Sequence, residues 1–152
     1  MSFNKIQPAP LVRSRTKSMP NGMPILSELD MERLKRCARV SGASSEQRTL
    51  VEELEGTAML LDAAEVPTDV VMVNTRIECT AVASGEAHQW TLVYPDEADY
   101  ERGRISVLSP TGFALLGARV GQKVECRPPS GVPVQYIIKR ILFRPEQLAL
   151  AD

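Results

Sequence analysis

Apolar residues recur at two different periods along this chain, and the change of period divides it. Up to about residue 66 the spacing is helical. Met31, Leu34 and Ala38 fall at i, i+3 and i+7, a narrow stripe on one helix face. Ser27 ahead of Glu28, Asp30 and Glu32 places a cap and acids at the N-terminus, where the helix dipole favours negative charge, and Arg36 and Arg39 stand near the other end. "SGASSE" (41–46) interrupts the stripe: Gly42 suits a C-cap, and Ser44 or Ser45 a new N-cap. Leu50, Leu54, Ala58 and Leu61 then keep the helical period, which predicts a second helix over 46–64 with a weak point of about 1 kcal/mol at Gly56. Pro67 ends the segment.

From Val70 onward the period is two. Ile77, Cys79, Ala81 and Ala83 alternate with Arg76, Glu78 and Thr80, and after "SGEA" His88, Trp90, Leu92 and Tyr94 share a face, which predicts a hairpin turning at Gly85. "GRISVLS", "VGQKVEC" and "VPVQYIIKRILF" supply three further strands. Between the first two of these, Ser109 is placed to cap, Pro110 to occupy the first helical position and Gly117 to stop a helix of about two turns. A twisted antiparallel sheet wrapped around that one helix buries both, so the expected fold class is α+β.

The remaining segment, 1–24, carries prolines at 8, 10, 20 and 24 among scattered Ser, Lys and Arg, the composition of a disordered tail. The expected organisation is a basic tail over 1–24, a short antiparallel helical hairpin over 25–66 and a sheet domain over 67–152. Charge follows the same division: +4 for residues 1–27, −4 for 28–66 and −1 for 67–152. A near-neutral globular region is poorly suited to gripping nucleic acid by its phosphates, so no direct sequence-specific nucleic-acid binding is expected. No run approaches the eighteen apolar residues of a membrane span, and no secretory signal opens the chain, which points to a cytoplasmic protein without a membrane partner. Cys37, Cys79 and Cys126 are far apart and form no C-x-x-C pair; they read as reduced, mostly buried residues.

Catalytic chemistry is hard to find. His88 is the only histidine and has no nucleophile in a recognisable motif beside it. Trp90, on the same face, reads as core. Asp96, Glu97, Asp99 and Glu101 lack the spacing of a calcium loop and read as a solvated turn, and "GARVGQK" lacks the rest of a phosphate-binding loop. No catalytic residue, metal or cofactor is expected.

The stretch from Asp96 to Gly131, "DEADYERGRISVLSPTGFALLGARVGQKVECRPPSG", continuing through "YIIKRILF", carries a resemblance to the bacterial Gre transcription factors that covers their whole C-terminal domain, about 80 residues. The resemblance implies an FKBP-like fold that docks on RNA polymerase near its secondary channel, and an N-terminal coiled coil that carries acidic tip residues to the catalytic magnesium. It places polymerase docking at Ser109, Pro110 and Thr111, and the hairpin tip at Ser44, Ser45 and Glu46. Here the sequence departs from the cleavage factors. A first helix of about 12 residues reaches only about 18 Å, and the tip holds one carboxylate, Glu46, where capture of a magnesium ion wants at least two. The short hairpin, with "PTDVVMVNTRIEC" and "TLVYPDEAD", is more similar to the Rnk-type subfamily, regulators of nucleoside diphosphate kinase. That implies a monomeric polymerase-binding regulator that competes with Gre factors without stimulating transcript cleavage and is not an enzyme. The other readings are a true cleavage factor acting through Glu46 and, from the FKBP-like fold alone, a peptidyl-prolyl isomerase.

Overall fold

Ser27 starts the first helix as its position in the sequence suggests: its hydroxyl accepts the Asp30 amide at 3.0 Å, and helix α1 runs Glu28–Arg39. The structure, a computed structural model, describes residues 23–40, 42–127 and 131–144; all but the last two residues of the expected tail over 1–24 lie outside them. Met31, Leu34 and Ala38 are buried along the α1 stripe. Helix α2, Ser45–Thr57, is shorter than the expected 46–64. Gly56 and Thr57 are weak helix formers, and at Ala58 the backbone turns extended while its N–H still closes on the Leu54 carbonyl at 2.8 Å.

The residues assigned to the end of that helix do something else. Strand β1 (Ile25–Ser27) and strand β2 (Met59–Leu61) pair in parallel, Leu26 opposite Leu60, and the Met59 amide donates to the Pro24 carbonyl at 2.9 Å. Leu61 keeps the helical spacing by coincidence. It packs with Ile25, Val66, Val70 and Met72 in a small cluster beneath the strand pair.

The alternation read beyond Val70 appears as a five-stranded sheet. Its strands are β3 (Arg76–Ala81), β4 (Ala87–Val93), β5 (Arg104–Ser106), β6 (Lys123–Cys126) and β7 (Val134–Phe143), in the order β5-β4-β3-β7-β6. Ile77, Cys79 and Ala81 point into the core as expected, and β3 and β4 form the antiparallel hairpin, Cys79 opposite His88. The sheet is mixed rather than wholly antiparallel: β5 runs parallel to β4, with Leu92 opposite Ile105. The reason lies in the connection. Two 3-10 turns, Pro95–Glu97 and Tyr100–Arg102, carry the chain back before Gly103, at φ 75°, releases it into β5 in the same direction as β4. Strand β7 changes register twice against β3, which lets ten residues bend around the core.

Helix α3, Pro110–Leu115, packs against β5 and β6. Gly117 ends this unit at φ 84°, and its carbonyl accepts the Ile25 amide at 3.1 Å, which ties β1 to the helix. One continuous core results. Met31 and Leu34 of α1, Val51 and Leu54 of α2, Ile77 and Leu92 of the sheet and Phe113 and Leu115 of α3 belong to the same buried cluster.

Candidate functional site

Helix α3 is prepared by its own N-terminus. The Ser109 hydroxyl donates to the Ser106 carbonyl at 2.6 Å and accepts the Gly112 amide at 3.1 Å, while Pro110 occupies the first turn, where no amide is needed. The three residues assigned to docking therefore differ in what they can offer. Pro110 is exposed, Ser109 spends its hydroxyl on the cap, and Thr111 is half-buried with its hydroxyl 3.3 Å from the Cys126 thiol.

The hairpin tip is a closed local structure. The Ser44 hydroxyl accepts the Gln47 amide at 3.0 Å and the Gln47 side-chain oxygen accepts the Ser44 amide at 2.9 Å, a capping box. Arg48 donates to the Ala43 carbonyl at 2.8 Å. Ser44, Ser45 and Glu46 are all exposed, and Glu46 is the only acid in the first turn of α2.

The residues next to the two sets, more than sixty apart in sequence, are in contact. The Gln47 side-chain amide donates to the Leu108 carbonyl at 3.3 Å, one residue before the Ser109 cap. Beside this contact an open groove of about 730 Å³ runs between Arg33, Arg36 and Cys37 of α1, the tip at Gly42 and Ala43, and Tyr94–Glu97, with Ser106 and Leu108 also lining it. The α1 wall carries two bases, Arg33 and Arg36, and the facing wall two acids, Asp96 and Glu97.

A second contact fixes α1 to the sheet domain. Asp30 is buried; the Tyr94 hydroxyl donates to it at 3.1 Å and the Val73 amide at 3.4 Å. Burial raises the Asp30 pKa above its ordinary value, against the lowering effect of those hydrogen bonds. The same burial, with the carboxylate beside it, pushes the Tyr94 phenol up. At the surface, Lys35 of α1 reaches Glu55 of α2 at 2.8 Å.

Among the described residues no group of three or more His, Cys, Asp or Glu could hold a metal ion, and no helix is long and apolar enough to cross a membrane. Asp96, Glu97 and Asp99 belong to the turns that set the direction of β5; Asp99 pairs with Arg102 and bridges to Arg104. Asp69 holds Arg119 by two bonds of 3.1 and 3.2 Å, a clasp between the chain before β3 and the one after α3. Cys79 and Cys126 are buried and Cys37 half-buried. Burial pushes the Cys79 thiol up to about 12 and raises Cys126 as well, so neither supplies thiolate at neutral pH. With a disulfide-exchange reagent, Cys37 is expected to label first and the other two only on the timescale of opening. Rapid labelling of Cys79 or Cys126 in native protein would contradict their inward register.

These elements make a curled mixed sheet whose two edge strands both touch one capped helix, with a short helix pair folded against it. Residues 66–143, just over half of the chain, match the family model for "Transcription elongation factor, GreA/GreB, C-term". The chain is 35% identical over 89 residues to the "Regulator of nucleoside diphosphate kinase" of Escherichia coli (strain K12), a match covering 59% of this chain and 65% of that protein. It is 40% identical over 110 residues to the transcription elongation factor GreA of Chlorobium phaeobacteroides (strain DSM 266), covering 67% and 69%. A solved GreA/GreB factor from Nitrosomonas europaea superposes with a TM-score of 0.61 at 29% identity, covering 81% of this chain and all of that one. The chain belongs to the GreA/GreB family. Its match to the Escherichia coli regulator falls just short of two thirds of that protein's length.

Ser109 was legible as a cap and Glu46 as an isolated acid. Gln47, Leu108, Asp30 and Tyr94, which join the helix pair to the domain, were not: each contact spans more than forty residues and leaves no local pattern.

Proposed function

We propose that this protein is a cytoplasmic, monomeric RNA polymerase-binding regulator. It docks near the secondary channel through an FKBP-like domain (67–152) and competes with Gre factors without stimulating transcript cleavage. The helical hairpin (25–66) is the part that would enter the channel, and Ser109, Pro110 and Thr111 the part that docks, with exposed Pro110 making the contact and Ser109 holding its shape. One observation carries the reading. The tip presents a single first-turn carboxylate, Glu46, and Gln47 holds that tip down at Leu108 beside the docking helix. Delivery of a metal ion to a distant active site needs reach and a pair of oxygen donors; this tip has neither. The family supplies the partner, since elongation factors of the GreA/GreB type act on transcribing polymerase.

The test is a stalled elongation complex and a competition assay. The protein is expected to bind core RNA polymerase at micromolar concentration or better in moderate salt, to displace a Gre factor and to produce no transcript cleavage. Robust cleavage abolished by Glu46→Ala would restore the cleavage-factor reading. Failure to bind polymerase would leave only the family assignment. Pro110→Ala is expected to weaken binding with little loss of stability, whereas Ser109→Ala loses about 1 kcal/mol with its cap.

A further inference from the structure

Helix α3 packs on β5 and β6, while His88 and Trp90 of β4 lie opposite Cys79 and Ile77 of β3, and Trp90 and Tyr136 pack at the margin of the core. His88 and Trp90, with Tyr136 of β7, form a ring cluster. His88 lies flat on Trp90 with centroids 4.6 Å apart at 13°, and Tyr136 stands edge-on to both, at 6.0 Å and 5.4 Å. All three are half-buried, and among the described residues neither the Trp90 indole N–H nor the Tyr136 hydroxyl takes part in a hydrogen bond. Of these two heads only the Tyr136 oxygen can accept from a guanidinium, which donates and never accepts; the indole N–H is itself a donor. Glu86 is exposed, and its carboxylate stands 3.8 Å from His88 Nε2.

The cluster adjoins the docking helix. The Thr111 hydroxyl touches the Cys126 thiol. Cys126 and Tyr136 project from the same side of the β6–β7 pair, where Val124 is opposite Tyr136 and Cys126 opposite Val134.

We propose that His88, Trp90 and Tyr136, with Glu86 at their rim, form a seat for an arginine side chain of the protein segment engaged by the Ser109–Thr111 loop. Guanidinium is planar and weakly hydrated and stacks on aromatic rings, where the π faces attract its charge. Glu86 supplies the opposite charge at one end. Apolar ligands would use the rings but gain nothing from the carboxylate, and a nucleic-acid base would bring a phosphate towards it. This inference rests on the docking reading, because the partner segment is the one that reading supplies.

The test separates the two. Trp90 is the only tryptophan in the chain, so its emission reports on the seat directly. A tetra-arginine peptide is expected to change Trp90 emission saturably at low salt, tetra-lysine more weakly, and tetra-glutamate and single-stranded RNA not at all. Glu86→Gln is expected to weaken the arginine response, and Tyr136→Leu to remove most of it. In polymerase binding, each of these two variants should lose affinity about threefold to fivefold, the scale of an exposed cation–π contact, with melting within a few degrees of wild type. If polymerase binds wild type and both variants alike, the seat is disproved while docking stands. If wild type does not bind polymerase, docking fails, and the arginine-peptide response alone decides the seat. An equal or stronger response to RNA or to tetra-glutamate overturns it.

Discussion

Gly112→Ala is expected to be among the most damaging single changes in helix α3, costing about 3 kcal/mol or more. A Cβ added at Gly112 would lie 2.0 Å from the Ser106 carbonyl oxygen and 2.9 Å from its carbon. Both are backbone atoms, and the same carbonyl already receives the Ser109 hydroxyl and the Ser109 amide. Relief would require moving strand β5 or helix α3, and either motion breaks the cap. For a chain of this length the loss corresponds to roughly 10 °C in Tm, readable by thermal melting. Gly56→Ala makes a control: nothing lies within 4 Å of its added Cβ, and alanine is the better helix former, so it should be neutral or stabilising by up to about 1 kcal/mol. A Gly112→Ala protein that melts with wild type would mean that α3 does not sit this close to β5.

The second large effect is expected at Asp30. Asp30→Ala strips the acceptor from the buried Val73 amide and from the Tyr94 hydroxyl, and such losses cost about 1–3 kcal/mol per buried group. Part of this is offset, because the wild-type carboxylate is itself held in an unfavourable, desolvated place. A net loss of about 2 kcal/mol is therefore expected. That desolvation also fixes the pH dependence. The Asp30 pKa is raised above its ordinary 3.8, so between that value and the folded-state value the native protein binds more protons than the unfolded chain. Stability then falls as pH rises through this window. Relative to Asp30→Asn, wild type should gain stability on acidification towards pH 4 and lose that gain above the window. Denaturant melts of both proteins across acidic pH measure the difference, and an opposite slope would mean that the carboxylate is stabilised by its partners more than it is penalised by burial.

Asp30 shows why the sequence was informative about elements and silent about some of their roles. An acid three residues after Ser27 satisfies the rule for a helix N-terminus, and nothing nearby says that it will be covered by Tyr94 and Val73. The strands of the sheet were readable because Ile77, Cys79 and Ala81 repeat a period long enough to recognise. β1 and β2 were not, since three residues carry no period and Leu61 happens to extend the helical one. The parallel β4–β5 pair was missed for a related reason: strand spacing identifies strands, but direction depends on how the connection turns, and two 3-10 turns in ten residues have no apolar signature. For the candidate site, the Ser109-Pro110 pair made the cap legible and the tip showed Glu46 as its lone acid, while the Gln47–Leu108 bond depends on the folded path of the chain.

The parallel pairing of β1 with β2 has a consequence for how this protein could change. The chain enters the helix pair on one strand and leaves it on the adjacent one, with Gly117 fastened to the first by the Ile25 amide. The base of the pair is thus sewn into the domain on both threads. New length can enter only at the far end, between Val40 and Ser44, where adding whole helical turns to both arms would lift the tip away from Leu108 while every stitch at the base remained in place. A short member of the family and a long one can therefore be built on one unaltered foundation, differing in the height of a single extension.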